Sequence, residues 1–453
     1  MRIAVVAVVS VLVLTACSDG VTTTSPRSLV HAQRDALDRS TLVSTVRSLA
    51  AGRGIVPLPQ APHVRPALAR LGRALAFDKI LSGNRDISCM TCHLPQFATG
   101  DGRSLPIGTG GLGLGPARML VSGSIIPRNA PPLFNLHAMP ALFFDGRVSV
   151  DASGQFHTPA GAQLTPAMTR VFEFGALSAQ PLFPVVNTQE MRGSTGNHLA
   201  ALPDTDFQRI WSAAMERLGR IPRYREMFEA AYPGTRFDDM TFAYATNAIA
   251  GFIIANFTFD RSPWDRFLGG DDDALTTDQL LGAQDFLTLK CSICHNGSTF
   301  SDLQFHDVAL AQFGPGEGVA PNPLDDFGRM NATGNPADIY RFRTAPLRNI
   351  ELTGPYGHAG QFKELRAFVA HYSQSDIALR NYDPSQIDPI LYGTLLNNVD
   401  AVLAARDTLL QGVVIPDTVV DRLTTYMSAL TDPRARDLRS ITPARVPSGL
   451  PVD

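Results

Sequence analysis

Cys89-Met-Thr-Cys92-His93 and Cys291-Ser-Ile-Cys294-His295 repeat one pattern, Cys-x-x-Cys-His, and use four of the chain's five cysteines. That spacing suits covalent attachment of a c-type haem: each thiol adds across one haem vinyl group, and the adjoining His reaches the iron. Two c-type haems are therefore expected, one on Cys89, Cys92 and His93, the other on Cys291, Cys294 and His295. The competing chemistries are a zinc site and a vicinal disulfide. Zinc wants four ligands, and neither motif has a second Cys pair or a His-rich tract beside it.

The residues downstream of each motif separate an electron carrier from an enzyme, because iron with two strong axial ligands has no position left for substrate. After His93 the next His is His137, and the Gly-rich segment between them holds one Met, Met119. The first haem is expected to keep an open position, with His137, His157 and Met191 as the residues able to fold back onto it.

The fifth cysteine speaks to location. Met1-Arg2 leads into an apolar run, Ile3 to Leu14, that ends Leu14-Thr15-Ala16-Cys17. The run is too short to span a bilayer, and a small residue precedes the Cys, as in a bacterial lipoprotein signal. Cleavage before Cys17 would leave a multiply acylated, stably anchored N-terminus. An ordinary signal peptide with an incidental Cys fits the same residues. The expectation is a periplasm-facing lipoprotein, on the outer membrane since Ser18 rather than Asp comes after the Cys. A net charge of −3 with 18% charged residues points to neither nucleic acid nor an anionic surface, so membrane contact is expected through the lipid anchor only. The sequence is silent on oligomeric state.

These motifs need elements to hold them, and the apolar spacing is helical, near 3.6 residues, over 31–50, 66–77, 206–232, 239–257, 277–289, 363–372 and 417–430. Thr277 stands as the N-cap of the helix leading into the second motif. Gly and Pro make 70 of 453 residues, a loop-rich composition suited to a chain whose core is partly haem. The fold class expected is mainly α: two cytochrome c-like domains, each wrapped round one haem. The predicted boundaries are a signal peptide over 1–16, a lipidated N-terminus and tether over 17–35, an N-terminal domain over 36–265 with an insertion over 148–179, a C-terminal domain over 270–435 and a tail over 436–453.

Several blocks, in order, resemble the bacterial dihaem cytochrome c peroxidase and MauG superfamily over roughly residues 64–432. They are Leu71-Gly72-Arg73 through Phe77-Asp78, Leu81-Ser82-Gly83, Arg128-Asn129-Ala130-Pro131, Phe144-Asp145-Gly146-Arg147, Glu190-Met191, Arg343-Thr344-Ala345-Pro346-Leu347-Arg348-Asn349 and Thr353-Gly354-Pro355-Tyr356-Gly357-His358. The resemblance implies a distal acid at Glu190 and, ten positions earlier, a Gln at Gln180. A carboxylate over the haem would shuttle a proton between the two peroxide oxygens, and the amide would orient peroxide or the acid. It implies a second axial ligand for the C-terminal haem fourteen residues after His358. That position is Tyr372, where ordinary peroxidases have Met and MauG-like members Tyr. A phenolate favours oxidised iron and a thioether favours reduced iron. Tyr372 also shares an apolar helical face with Leu365, Phe368 and Val369, and His371 competes for the iron. Asn129, Thr353 and Pro355 match positions that hold a calcium ion between the domains. His358 is expected to hydrogen-bond near a haem without ligating it.

The chain departs from the family pattern at Phe144, where an inter-haem Trp is usual, and neither Trp211 nor Trp264 replaces it. Thr109 stands sixteen residues after His93, where related peroxidases carry a displaceable His, so activity without prior reduction is expected. The insertion over 148–179, with Phe156, His157 and Pro159, is placed to cover the substrate face. The implied reaction is reduction of hydrogen peroxide with electrons from a small donor protein, a cytochrome c or cupredoxin, relayed through the C-terminal haem. MauG-like oxidation of a protein side chain and a non-catalytic dihaem electron carrier are the alternatives.

Overall fold

The computed structural model describes residues 26–318 and 322–453, with side chains from residue 38 onward. Cys17, the expected signal peptide and the first part of the expected tether lie outside the described residues. Among the described residues no helix is long and apolar enough to cross a membrane.

Helix α1 (Pro26–Gly52) is followed by α2 (Pro66–Phe77), which coincides with its expected range. Pro66 at the first helical position fixes the entry φ, and Leu68, Leu71 and Leu75 form one buried stripe. One turn, α3 (Cys89–Cys92), carries the first motif. The single helix expected over 206–232 is two, α4 (Phe207–Gly219) and α5 (Pro222–Ala231). Pro222 holds Ile221 extended, at φ −107 and ψ 106, and the helix cannot pass through it. Then come α6 (Phe242–Phe257), α7 (Thr277–Thr288), the turn α8 (Cys291–Cys294) with the second motif, α9 (Leu365–His371) and α10 (Asp417–Ser428). The cap of α7 is Thr276, one residue before the expected Thr277. Its hydroxyl accepts from Gln279 N at 3.2 Å, and Gln279 Oε1 accepts from Thr276 N at 3.0 Å. The described strands are two or three residues long and pair as small antiparallel ribbons, among them Phe305–His306 with Phe342–Arg343.

Two apolar cores result. The first gathers α2, α4, α5 and α6 against Cys89 and Cys92; the second gathers α7 and α10, Trp264, Phe267 and one face of α9 against Cys291. Each motif thus abuts its own core. The chain ends cross between them. Val43, Val46 and Ala50 of α1 belong to the second core, where the Arg39 guanidinium donates to the carbonyls of Asp272 (3.0 Å) and Leu275 (2.9 Å). The tail returns to the first core through Leu438 and Val446. There Ser448 Oγ donates to buried Asp78 at 2.6 Å, and the Asp453 carboxylate meets Lys79 and accepts from Thr91 inside the first motif. The insertion is also core: Val148, Met168, Leu177 and Ala179 are buried in the first cluster.

At the centre of the first core α2 and α6 approach so closely that a Cβ on Gly72 would lie 1.8 Å from the Ala248 carbonyl oxygen. Helix propensity favours Ala over Gly by about 1 kcal/mol, whereas overpacking against a helix backbone costs about 1–3 kcal/mol. Gly72→Ala should therefore lower the thermal midpoint by several degrees; a raised or unchanged midpoint would show that the helices are not held in contact there.

Candidate dihaem site

The motif turns bring their histidines to one cavity of about 540 Å³, walled by residues of both cores, Phe134, Phe252, Phe286 and Leu423 among them. His93 Nδ1 lies 2.9 Å from the carbonyl of Thr99, and His295 Nδ1 lies 3.0 Å from that of Phe300. A carbonyl only accepts, so each Nδ1 carries the ring proton and Nε2 keeps its lone pair. Burial lowers both imidazole pKa values, which keeps the rings neutral and able to ligate. The cysteines are unpaired, and burial pushes Cys89 and Cys291 up to about 11. Neutral thiols in an apolar wall are the wrong environment for a zinc thiolate site. They are suited to thioether formation with an apolar macrocycle. The residues present therefore fit a c-type haem at each motif.

Gln180, Glu190, Met191 and Arg147 line the cavity, and, beyond the effect of burial, Glu190 lies near enough to Cys89 and Cys92 to raise their thiol pKa values. Glu190 sits in a single π-turn, Thr188–Arg192, whose first amides are capped by Asn187 Oδ1 at 2.8 and 3.1 Å. Such turns recur at functional sites because they re-aim a side chain. The Glu190 carbonyl accepts from Thr109 N at 2.9 Å, so the position where a displaceable His was sought is instead tied to the Glu190 backbone. Burial pushes the Glu190 carboxyl up from 4.5 to about 7, against the opposing pull of Arg147 and with Glu317 adding to the rise.

Met191 is the one sequence-nominated sixth-ligand candidate that reaches the cavity. His137 bonds to the Pro59 carbonyl at 3.1 Å, and His157 pairs with Asp151 at 2.8 Å in an exposed hairpin; neither lines the cavity. Met119 is exposed. No residue of 148–179 lines the cavity. Phe144 stands on the wall, while Trp211 and Trp264 are buried in the separate cores.

On the side of His295, Leu365, Phe368, Val369 and Tyr372 present one face of α9 and its C-cap to the cavity. His371 points away, its Nε2 2.9 Å from the Val308 carbonyl, which removes it from competition. Burial, with smaller contributions from Cys294 and Cys291, raises the Tyr372 phenol above its ordinary value. Asn129, Thr353 and Pro355 line the same cavity, and Gly354–Pro355 is a cis peptide. Asn129 Nδ2 donates to the carbonyls of Arg103 (2.8 Å) and Ser104 (3.3 Å), which leaves Oδ1 as its acceptor. His358 stacks on Phe342 at 3.6 Å between centroids, and burial lowers its pKa to about 3, so it is a neutral ring.

Sequence reasoning missed two charged groups. Arg128 is buried and pairs with Asp145 (2.6 Å), Asp326 (2.8 Å) and Glu317 (3.0 Å), the last also held by Arg147 at 2.7 Å. His306 lies between Asp302 (3.0 Å) and Asp407 (2.7 Å), close to Cys294. Arg128, Asp145 and Arg147 stand in blocks shared with the family, but Glu317 and Asp326, which the arginines also meet, lie far along the chain.

Two apolar cores, each abutted by one Cys-x-x-Cys-His motif, are the arrangement expected of a dihaem c-type cytochrome. Residues 66–273 match the di-haem cytochrome c peroxidase family. The cytochrome c551 peroxidase of Pseudomonas aeruginosa is 30% identical over 325 residues, covering 71% of this chain and 75% of that protein. The methylamine utilization protein MauG of Paracoccus denitrificans is 28% identical over 396 residues, covering 84% and 92%. A crystal structure of a MauG-like protein associated with microbial copper homeostasis shares the fold at a TM-score of 0.58 and 23% identity, covering 85% of this chain and 96% of that one. The diheme peroxidase BthA from Burkholderia thailandensis E264 does so at 0.57 and 19%, covering 83% and 88%. The chain belongs to the di-haem cytochrome c peroxidase family and is a haem peroxidase-like oxidoreductase. Membership implies two c-type haems.

A carboxyl whose folded pKa is raised binds its proton more tightly in the native chain. Its contribution is therefore most favourable below its ordinary value of 4.5 and is lost as pH climbs through about 7. Glu190→Gln should flatten the fall in unfolding free energy between pH 5 and 8 by roughly 1–3 kcal/mol in denaturant titrations. A slope identical to wild type would mean that the carboxyl is solvated.

Proposed function

We propose that this chain reduces hydrogen peroxide to water, taking electrons from an external donor protein at the second motif and using them at the first. The observation that carries the proposal is a buried Glu190 near Cys89 and Cys92 in the cavity that Gln180 and His93 also line. A c-type haem held by Cys89, Cys92 and His93 would supply the iron that activates peroxide, and one held by Cys291, Cys294, His295 and Tyr372 would supply the electron relay.

The chain's own groups manage protons. Glu190 takes the proton from one peroxide oxygen and returns it to the departing oxygen, which leaves as water rather than hydroxide. A carboxyl near 7 suits both steps at neutral pH, since it is neither too weak a base nor too weak an acid. Gln180 orients peroxide through its amide, and Arg147 restrains the upward drift of the Glu190 pKa. Two electrons and two protons complete the conversion of one peroxide to two waters. Asn129, Thr353 and Pro355 are assigned a calcium ion that ties the two halves together, and Cys17 a lipid anchor that holds the enzyme facing the periplasm. The donor is a small cytochrome c or cupredoxin, and the domains are those bounded at 265 and 270, with the chain ends crossing over.

One observation favours a second reading, MauG-like oxidation of a side chain on a partner protein. Tyr372 faces the cavity while His371 does not, and a phenolate favours oxidised iron. Phe144 opposes it, because phenylalanine is hard to oxidise and serves poorly as a stepping stone between haems.

The ferric holoprotein should give a high-spin electron paramagnetic resonance signal beside a low-spin one. Peroxide should abolish the high-spin signal in wild type and leave it in Glu190→Gln, with turnover lowered by about 10²–10⁴-fold and haem content unchanged. Two low-spin signals indifferent to peroxide would make the chain an electron carrier. Separately, Tyr372→Met should raise the midpoint potential of the second haem, because a thioether favours reduced iron; a potential unmoved in spectroelectrochemical titration would take Tyr372 off the iron.

A further inference from the structure

Beside the second motif, the His306 ring is clamped at both nitrogens. Nδ1 lies 2.7 Å from Asp407 Oδ2 and Nε2 lies 3.0 Å from Asp302 Oδ2, all three side chains being largely withdrawn from solvent. An ionised carboxylate only accepts hydrogen bonds, so a ring that meets one at each nitrogen must carry a proton on both and is an imidazolium. The pKa values agree. Hydrogen bonding to Asp302 and to Asp407 raises His306 above its ordinary value against burial; the further rise lent by the Cys294 thiol goes when haem attachment consumes it. Burial pushes both carboxyls up, but His306 reverses it and leaves them low.

The clamp is rigidly placed. Asp302 N donates to the Cys294 carbonyl at 2.7 Å, His306 pairs with Phe342 in a ribbon, and Asp407 N donates to the Asp307 carbonyl at 3.0 Å. His306 and Asp407 line the cavity with His295 and Cys294. Ligand atoms of Cys294, Asp302 and His306 lie within 4.8 Å of one another, the geometry of a small metal site. Metal binding is excluded there because neither ring nitrogen has a free lone pair and haem attachment consumes the thiol. Charge remains: two anions and one cation, fixed against a weakly screened wall. Outside the clamp, Arg341 helps to lower the Asp407 carboxyl, and the neighbouring Asp307, itself near Arg341 and Arg406, is pushed by burial up to about 7.

We infer that the Asp302–His306–Asp407 clamp is a potential-setting device, holding a net charge of minus one beside the second haem and so favouring its oxidised state. The inference rests on the reading that the second motif carries a haem. His306, Asp302 and Asp407 are positioning residues; none touches peroxide.

Charge makes a prediction that a mere tether does not. Asp302→Asn and Asp407→Asn each remove an anion and should raise the second haem's midpoint potential. His306→Gln removes the cation and should lower it. Each shift should be about the equivalent of a tenfold change in the redox equilibrium, 59 mV for one electron. The measurement is a spectroelectrochemical titration of the full-length holoprotein, with the first haem as internal reference and haem content checked by pyridine haemochrome. Opposite signs for the Asp and His variants, with the first haem unmoved, support the inference. Shifts of one sign in all three, or none, with two haems per chain overturn it. A wild-type content of one haem per chain, with the second motif unloaded, overturns the underlying reading and the inference with it.

Discussion

The architecture depends on one buried cation. Arg128 holds Asp145 from its own half of the chain and Asp326 and Glu317 from the other, at 2.6, 2.8 and 3.0 Å, with its side chain 5% exposed. A guanidinium withdrawn from water at the junction of two cores tolerates no slack, because loss of any one partner leaves charge unpaired in a poor solvent for it. The backbone records the constraint: Arg128 is held at φ 73, a conformation a non-glycine residue adopts only when its surroundings impose it. Burial alone would push the carboxyls of Asp145 and Asp326 up. The arginine more than reverses this, and Asp326 is held at about 2. Depressed carboxyls add stability above their unfolded pKa and give it up only as pH falls toward the folded one, so the junction is intact throughout the neutral range.

The cavity is built outward from that junction. Arg128 leads directly into Asn129, Ala130 and Pro131 on the wall, and the Asn129 amide donates to the His358 carbonyl at 2.7 Å, joining the first half to the loop that carries Thr353 and Pro355. Arg147, which shares Asp145 and Glu317 with Arg128, is also the group that restrains the Glu190 pKa. The electrostatics that lock the two halves therefore extend, through one arginine, to the proposed acid–base residue. The crossed chain ends reinforce the lock. With α1 in the second core and the tail in the first, the halves cannot separate without exposing Val43 and Val46 at one end or Leu438 and Val446 at the other.

How legible this was depended on how local each constraint is. Residues 66–77 were readable to the residue because a proline starts that helix and a regular stripe fills it. The break at Pro222 was written in the sequence but overridden by an uninterrupted apolar period, and the cap at Thr276 was displaced by one because two threonines adjoin. The haem motifs were legible because their chemistry is contiguous. Glu190, Gln180 and Tyr372 were reached only through family resemblance, and the structure brings all three to the cavity. No local pattern encodes pairing at long range. Neither the partners of Arg128, nor the meeting of His306 with Asp407, nor the crossing of the chain ends can be inferred from spacing, since these contacts are set by how two cores close on each other.

The two proposed haem sites differ most in how they treat charge. Around His93 the titratable group, Glu190, is driven by burial to about 7, where a small change in surroundings alters its protonation. Around His295, His306 is held above its ordinary value by two carboxylates, while its neighbour Asp307, which also lines the cavity, is pushed by burial up to about 7. A site that must move protons needs a group poised near the working pH. A site that only passes electrons is better served by fixed charge, because a proton arriving or leaving nearby would shift its potential during turnover. The clamp on His306 meets that need, whereas Asp307 beside it, left by burial near 7, does not.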